Sequence, residues 1–277
     1  MIKSAYISDD EFNYARQERS KFNIPTKLGV FAAHNGFRNG CIHVLVGRKG
    51  QGKSTWIKTI LSELASFSVP TMLYLSEEIP SDYCQPINYV MRRQYPPQEA
   101  QERLENILVV SEVENKIDSI DKFKRSLGIG QEDDYLQMVK FLIIDNFTTS
   151  FLGDSYIDLQ SKTYRDLVQI ANNYNIPILI LAHVSKNAKF DLFDSDMVRG
   201  SATGVNTAPF TYIIDQVKYM GYLRNFIHSE KSRNFTNAIR KTYEAIYNQE
   251  TQLFEKCVEI SADEYKRIRD HKVEAKF

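Results

Sequence analysis

The chain has 277 residues, 43% of them hydrophobic, which suits one large domain with a sizeable core better than two equal halves. Its 35 basic and 35 acidic side chains cancel, a balance that neither marks nor excludes nucleic acid, because a local patch of Lys and Arg vanishes in the sum. The longest apolar runs, such as 176–182, fall far short of the ~18 residues of a membrane helix, and the N-terminal stretch MIKSAYISDDEF is acidic where a signal peptide would be basic, so a soluble, cytoplasmic protein with no membrane partner is expected.

In chain order, residues 1–24 read as a short charged helix outside the core. The main body, 25–260, then alternates short runs rich in Ile, Val and Leu with longer amphipathic segments. That alternation predicts an α/β fold, a mainly parallel central sheet with helices on both faces. The expected strands are Ile42–Val46, Thr71–Leu75, Ile107–Val110, Phe141–Asp145 and Ile178–Ala182. Between the second and fourth, the charged region 94–134 holds two stretches of helical spacing, PPQEAQERLENI and KIDSIDKFKRSL, and a loop, GIGQEDD. After Ala182 a polar stretch leads into FTYIID, KYMGYLRNFIHSE and KTYEAIYNQETQLFEKC, which predict a strand followed by antiparallel hairpins at one sheet edge, with the last turn at Asn248 and Gln249. A C-terminal helix spans 261–277, opened by Ser261 and Glu264 at capping-box spacing. The three cysteines, Cys41, Cys84 and Cys257, lie far apart without ligand spacing, and predict buried thiols in a reducing compartment.

The chemistry gathers where strands end. GRKGQGKST meets the G-x4-G-K-[ST] spacing with Gly47, Gly52, Lys53 and Ser54. Glycines let the loop wrap so that backbone N–H groups face phosphate, Lys53 reaches the β- and γ-phosphates, and Ser54 offers a hydroxyl to Mg²⁺. The strand before it and the helix TWIKTILSELA after it place the phosphates at a helix N-terminus. The expected nucleotide contacts are Gly47, Arg48, Lys49, Gly50, Gln51, Gly52, Lys53, Ser54 and Thr55; Arg48 and Lys49 either add phosphate ligands or, in an assembly, face a neighbour. Asp145, closing the buried run VKFLIID, fits a metal-associated carboxylate beside Ser54. Glu77 and Glu78 follow the second strand, and because adjacent strand residues face opposite ways, one of them is expected to meet the γ-phosphate.

In this order the motifs resemble the RecA-like ATPases, and within them the motor domain of DnaB-type hexameric replicative helicases and the RepA-type plasmid helicases. Beside the phosphate loop, SEEIP resembles the S-L-E-M-P of the DnaB type, which implies Glu78 as the catalytic glutamate and Glu77 as a replacement for an apolar residue. FLIIDN and LAHVSK follow, with His183 at the strand end where the DnaB type has a glutamine that senses the γ-phosphate. Lys231, Ser232, Arg233 and Asn234 look like the family's K-x-R-N, which implies that Arg233 and Lys231 reach the neighbouring subunit's nucleotide.

The resemblance implies an ATP- and Mg²⁺-dependent enzyme, a homo-oligomeric and hexameric ring, acting on single-stranded DNA with a replication or recombination protein partner. The stretches 186–200 and 201–209 would then line the pore; they carry Lys186, Lys189 and Arg199 but also Asp191, Asp194 and Asp196. Two rival readings are a filament-forming recombination mediator and a regulatory or scaffold ATPase whose nucleotide state controls a protein partner.

Overall fold

The computed structural model describes residues 24, 26–33, 36–132, 134–150, 152, 157–183, 208–232 and 241–274. Its centre is a nine-stranded sheet in the order β3-β2-β4-β5-β1-β6-β7-β8-β9. The strands are β1 Ile42–Gly47, β2 Thr71–Leu75, β3 Ile107–Ser111, β4 Phe141–Asp145, β5 Ile178–His183, β6 Phe210–Tyr219, β7 Tyr222–Ser232, β8 Thr242–Asn248 and β9 Leu253–Ile260. All five expected strands are present. Three of them, β1, β3 and β5, run one residue further than expected, and in β1 and β5 the extra residue is a site residue, Gly47 and His183.

Six strands, β3 to β6 in sheet order, are parallel, and β7, β8 and β9 add antiparallel hairpins at one edge. The parallel strands are apolar on both faces because both are covered. Leu45, Leu73, Ile143, Leu179 and Leu181 point into one core. Their neighbours Val44, Met72, Tyr74, Ile144 and Ile180 point into the other. The first core is closed by α1 (Lys53–Ser66) and α2 (Pro80–Gln94), the second by α3 (Ile157–Tyr174) and short helices at Ile120–Ser126 and Tyr135–Met138. A third cluster, Val217, Phe226, Tyr265 and Ile268, seats the C-terminal helix α4 (Ala262–Glu274) on the antiparallel part.

Local signals hold at several ends. Glu264 N–H donates to Ser261 Oγ at 3.1 Å, the capping contact the spacing predicts. In the last hairpin Asn248 Oδ1 accepts from the amides of Glu250, 2.7 Å, and Thr251, 3.0 Å, an Asx turn at the expected place. Helix α2 was not expected; it forms despite Pro86 because Tyr83, Ile87, Val90 and Met91 make one buried face. Cys41, Cys84 and Cys257 are free thiols, half-buried rather than buried. The expected N-terminal helix lies outside the described residues save for Ile24, which is buried and pairs with Phe37. Among the described residues no helix is long and apolar enough to cross a membrane.

Candidate active site

Strand β1 delivers the chain into the loop 48–52, and α1 starts at Lys53. Gly50 and Gly52 have φ of +81° and +77°, left-handed values that only glycine adopts freely, whereas an added Cβ at Gly50 would meet nothing within 4 Å. Conformation, not space, demands glycine there. At Gly47 the demand is space: a Cβ would stand 3.2 Å from Lys53 Cγ and 3.3 Å from Ile214 Cβ. The lysine stem thus lies flat along the sheet end, 6% exposed, and Nζ donates to the carbonyls of Gly47 at 3.0 Å and Arg48 at 2.6 Å. Burial lowers the Lys53 ammonium to about 8, while Asp145 and Glu77 pull the other way. No side chain caps the N-terminus of α1, so its first amides remain available to an anion.

Asp145 ends β4 directly across from this loop, 8% exposed. Its Oδ2 accepts from Tyr83 Oη at 2.6 Å, and the Ser54 hydroxyl also donates to the carboxylate. Burial raises the Asp145 carboxyl to about 6; the Tyr83 bond opposes this, Glu78 adds to it, and Ser54 and Lys53 oppose it. Tyr83 is fully buried on the first turn of α2 and carries the Lys58 ammonium 4.4 Å above its ring. Sequence reasoning did not single out Tyr83. The only available signal was a tyrosine three residues after Pro80, the proline that opens a helix directly behind SEEIP.

Strand β2 stops at Leu75, so Ser76, Glu77 and Glu78 lie on a bend and the alternation of strand faces does not separate the two glutamates. Both are exposed and both line the cavity, contrary to the expectation that one would be turned away. Glu78 Oε2 lies 3.4 Å from Lys58 Nζ, an exposed pair of small energetic value that still orients the carboxylate.

The exits of β2, β4 and β5 are stitched together through Asn146, another residue the sequence reading did not single out. Its N–H donates to Ser76 Oγ at 3.0 Å, its Nδ2 meets Nε2 of His183, and its Oδ1 accepts from the Thr148 hydroxyl at 2.7 Å. Thr148 Oγ1 in turn accepts from the His183 amide at 3.2 Å. His183, at the end of β5, is therefore positioned by two residues that follow Asp145.

Lys53, Ser54, Glu78, Asp145 and His183 border one open cavity of about 740 Å³, together with Arg48, Lys49, Gly50, Gly52 and Thr55. Of the nine expected loop contacts, Gly47 and Gln51 are off its wall. The Gln51 side chain turns away, accepting from the Arg48 amide at 2.7 Å and donating to Asp215 at 3.2 Å. Lys231 lies in β7 paired with Thr211, and its side chain, like Arg233 and the segment 184–207, lies outside the described residues. The donor set fits a nucleotide with a divalent ion: a hydroxyl and a carboxylate in contact, a buried ammonium, and an uncapped helix start, all on one wall.

No protein-family model matches the sequence, and no curated protein matches it either. Among solved structures the chain is similar to the ATPase domain of G40P, with a TM-score of 0.63 over 94% of this chain and 100% of that one, at 13% identity. At that identity the likeness is one of fold. The sheet order, the antiparallel edge and the glycine loop leading into α1 make this a RecA-like P-loop fold.

Proposed function

We propose that the protein is an ATP hydrolase that works as a ring-forming DNA helicase or translocase of the DnaB/RepA type on single-stranded DNA in replication. The observation that carries the reading is the convergence of Lys53, Ser54, Glu78, Asp145 and His183 on one cavity at the end of a parallel sheet. Lys53 and the loop amides bind and orient the β- and γ-phosphates, which requires Lys53 to redirect Nζ from the carbonyls it now contacts. Ser54 and Asp145 would hold Mg²⁺, which would supply charge neutralisation to the bound phosphates. Glu78 accepts a proton from the attacking water, with Lys58, 3.4 Å away, holding its carboxylate at the cavity mouth. His183 donates to the γ-phosphate and loses that bond on hydrolysis, passing the change to the segment that follows it. Arg233 with Lys231 completes the next subunit's site, which makes hydrolysis depend on assembly into a homo-oligomer, a hexamer in this reading, in the cytoplasm.

A second reading, a regulatory ATPase acting on a protein partner, is favoured by Asp191, Asp194 and Asp196 in the segment that would face DNA. ATP hydrolysis measured with and without single-stranded DNA separates the two. Stimulation by DNA supports the helicase reading; no stimulation together with no DNA binding at low salt sinks it. Within either reading, Glu78→Gln is expected to lower turnover by at least about 100-fold while ATP still binds, and loss through Glu77→Gln instead would move the catalytic role one residue back.

A further inference from the structure

The face of the phosphate loop turned away from the cavity is tied to the C-terminal helix. Asp215, on β6 and 6% exposed, accepts from Gln51 Nε2 on one oxygen at 3.2 Å and from Tyr265 Oη of α4 on the other at 2.7 Å. Gln51 passes the link on, because its Oε1 accepts the Arg48 N–H at 2.7 Å while Lys53 Nζ holds the Arg48 carbonyl at 2.6 Å. The Arg48 N–H is thereby tied through Gln51 to Asp215, a link that does not depend on where Lys53 Nζ points. Tyr265 is itself fixed by edge contacts with Phe226, ring centroids 5.1 Å apart, and His228, 4.6 Å apart.

We infer that Asp215 and Tyr265 are positioning residues for the phosphate loop, so that docking of α4 and binding of nucleotide are coupled. Gln51, Asp215 and Tyr265 lie outside the cavity wall and touch no reacting atom. Their effect runs through loop shape. A buried carboxylate with donors on both oxygens stays in place; with the Tyr265 hydroxyl gone, it reorients to find another donor, and Gln51 and the Arg48 peptide lose their anchor. Loop amides that must be aligned before phosphate arrives then have to be ordered at the expense of binding energy. Because coupling is reciprocal, nucleotide that selects this loop shape also tightens α4 against the sheet.

The inference rests on reading 47–55 as a nucleotide loop, and the test keeps the two apart. In the full-length protein, Tyr265→Phe keeps the ring and removes the hydroxyl. We expect the Kd for a fluorescent methylanthraniloyl-ATP to rise roughly 5- to 10-fold, the low end of coupling between sites. Gln51→Ala is expected to weaken binding similarly, and the double variant to be no weaker than the worse single, since both cut one chain. A Kd unchanged in Tyr265→Phe, or effects that multiply in the double variant, overturns the coupling. Hydrogen exchange on the unmodified protein gives a second readout: amides of 262–274 slow when the analogue binds, and unchanged exchange counts against the inference. A wild-type chain that binds no analogue would remove the nucleotide reading and this inference together.

Discussion

The two parts of the sheet do different work. In the parallel part the strands run one way, so β1, β2, β4 and β5 end on a single edge, and the residues at or just beyond those ends, Lys53, Glu78, Asp145 and His183, meet there. In the antiparallel part successive strands reverse, so their ends are shared between both edges and no such convergence arises. That part instead supplies backing. Phe254 of β9 lies against Trp56 of α1 at 4.6 Å between ring centroids, its amide donates to Thr59 Oγ1 at 3.0 Å, and Asp215, on the part of β6 that runs beyond its parallel pairing with β1 and pairs antiparallel with β7, holds Gln51 from behind. Parallel strands present chemistry, and antiparallel hairpins hold the presenting helix and loop in shape.

If the division is right, the largest loss of stability from one residue of the edge hairpins should come where they back α1. Phe254 is 5% exposed within the core that also holds Trp56 and Ile57. Phe254→Ala is expected to cost about 3–5 kcal/mol of unfolding free energy, read as a lower denaturant midpoint. Tyr247, on the same hairpin but 43% exposed, should tolerate Ala far better. Equal costs at the two positions would show that the edge does not brace the loop helix.

The chemical edge should show the opposite sign. Asp145 has its carboxyl raised to about 6 from an ordinary 3.8, so between those values the folded chain holds a proton that the unfolded chain has released. Stability from this group is complete below pH 4 and is lost as pH rises through 6. Asp145→Asn removes that loss, and the amide oxygen can still accept from Tyr83 while the Ser54 hydroxyl turns to accept from the amide nitrogen. The variant without nucleotide is expected to be more stable than wild type by about 3 kcal/mol above pH 7 and equal to it near pH 3.5, by denaturant unfolding at both pH values. A variant less stable at pH 7 would mean that Asp145 is held for structure rather than kept at a cost for ligand binding.

The parallel strands and the glycine loop were legible because their signals are local: an apolar run of five, a spacing of eight residues, a serine three before a glutamate. What the sequence did not disclose are partners far apart along it. Tyr83 meets Asp145 across 62 residues, Asn146 meets His183 across 37, and Gln51 meets Asp215 across 164, with no local pattern to mark any of them. The motif placed Gln51 among the nucleotide contacts because motif spacing says nothing about which way a side chain turns. Glu77 and Glu78 show a related limit. Alternation of faces is a property of strands, and β2 ends two residues before them.

The smallest effect tests the comparison at a single proton. Burial lowers Lys53 to about 8, so at pH 8 about half of the molecules carry it neutral. Phosphate oxygens brought beside Nζ favour the charged form and raise that value again. Binding of ATP at pH 8 should therefore take up roughly half a proton, measured by calorimetry in buffers of differing ionisation enthalpy. Asp145 does not confuse the count, because a carboxyl at about 6 is already ionised at pH 8. At pH 6.5 the Lys53 contribution vanishes, since the ammonium is then charged before ATP arrives, and any release from Asp145 on addition of Mg²⁺ has the opposite sign. The antiparallel part predicts no such signal: Phe254→Ala should change affinity without changing the proton count, because the residue touches the frame and not the charge. An uptake that disappears in Phe254→Ala would mean that the burial of Lys53 depends on the hairpins as well, and that the frame also sets the chemistry.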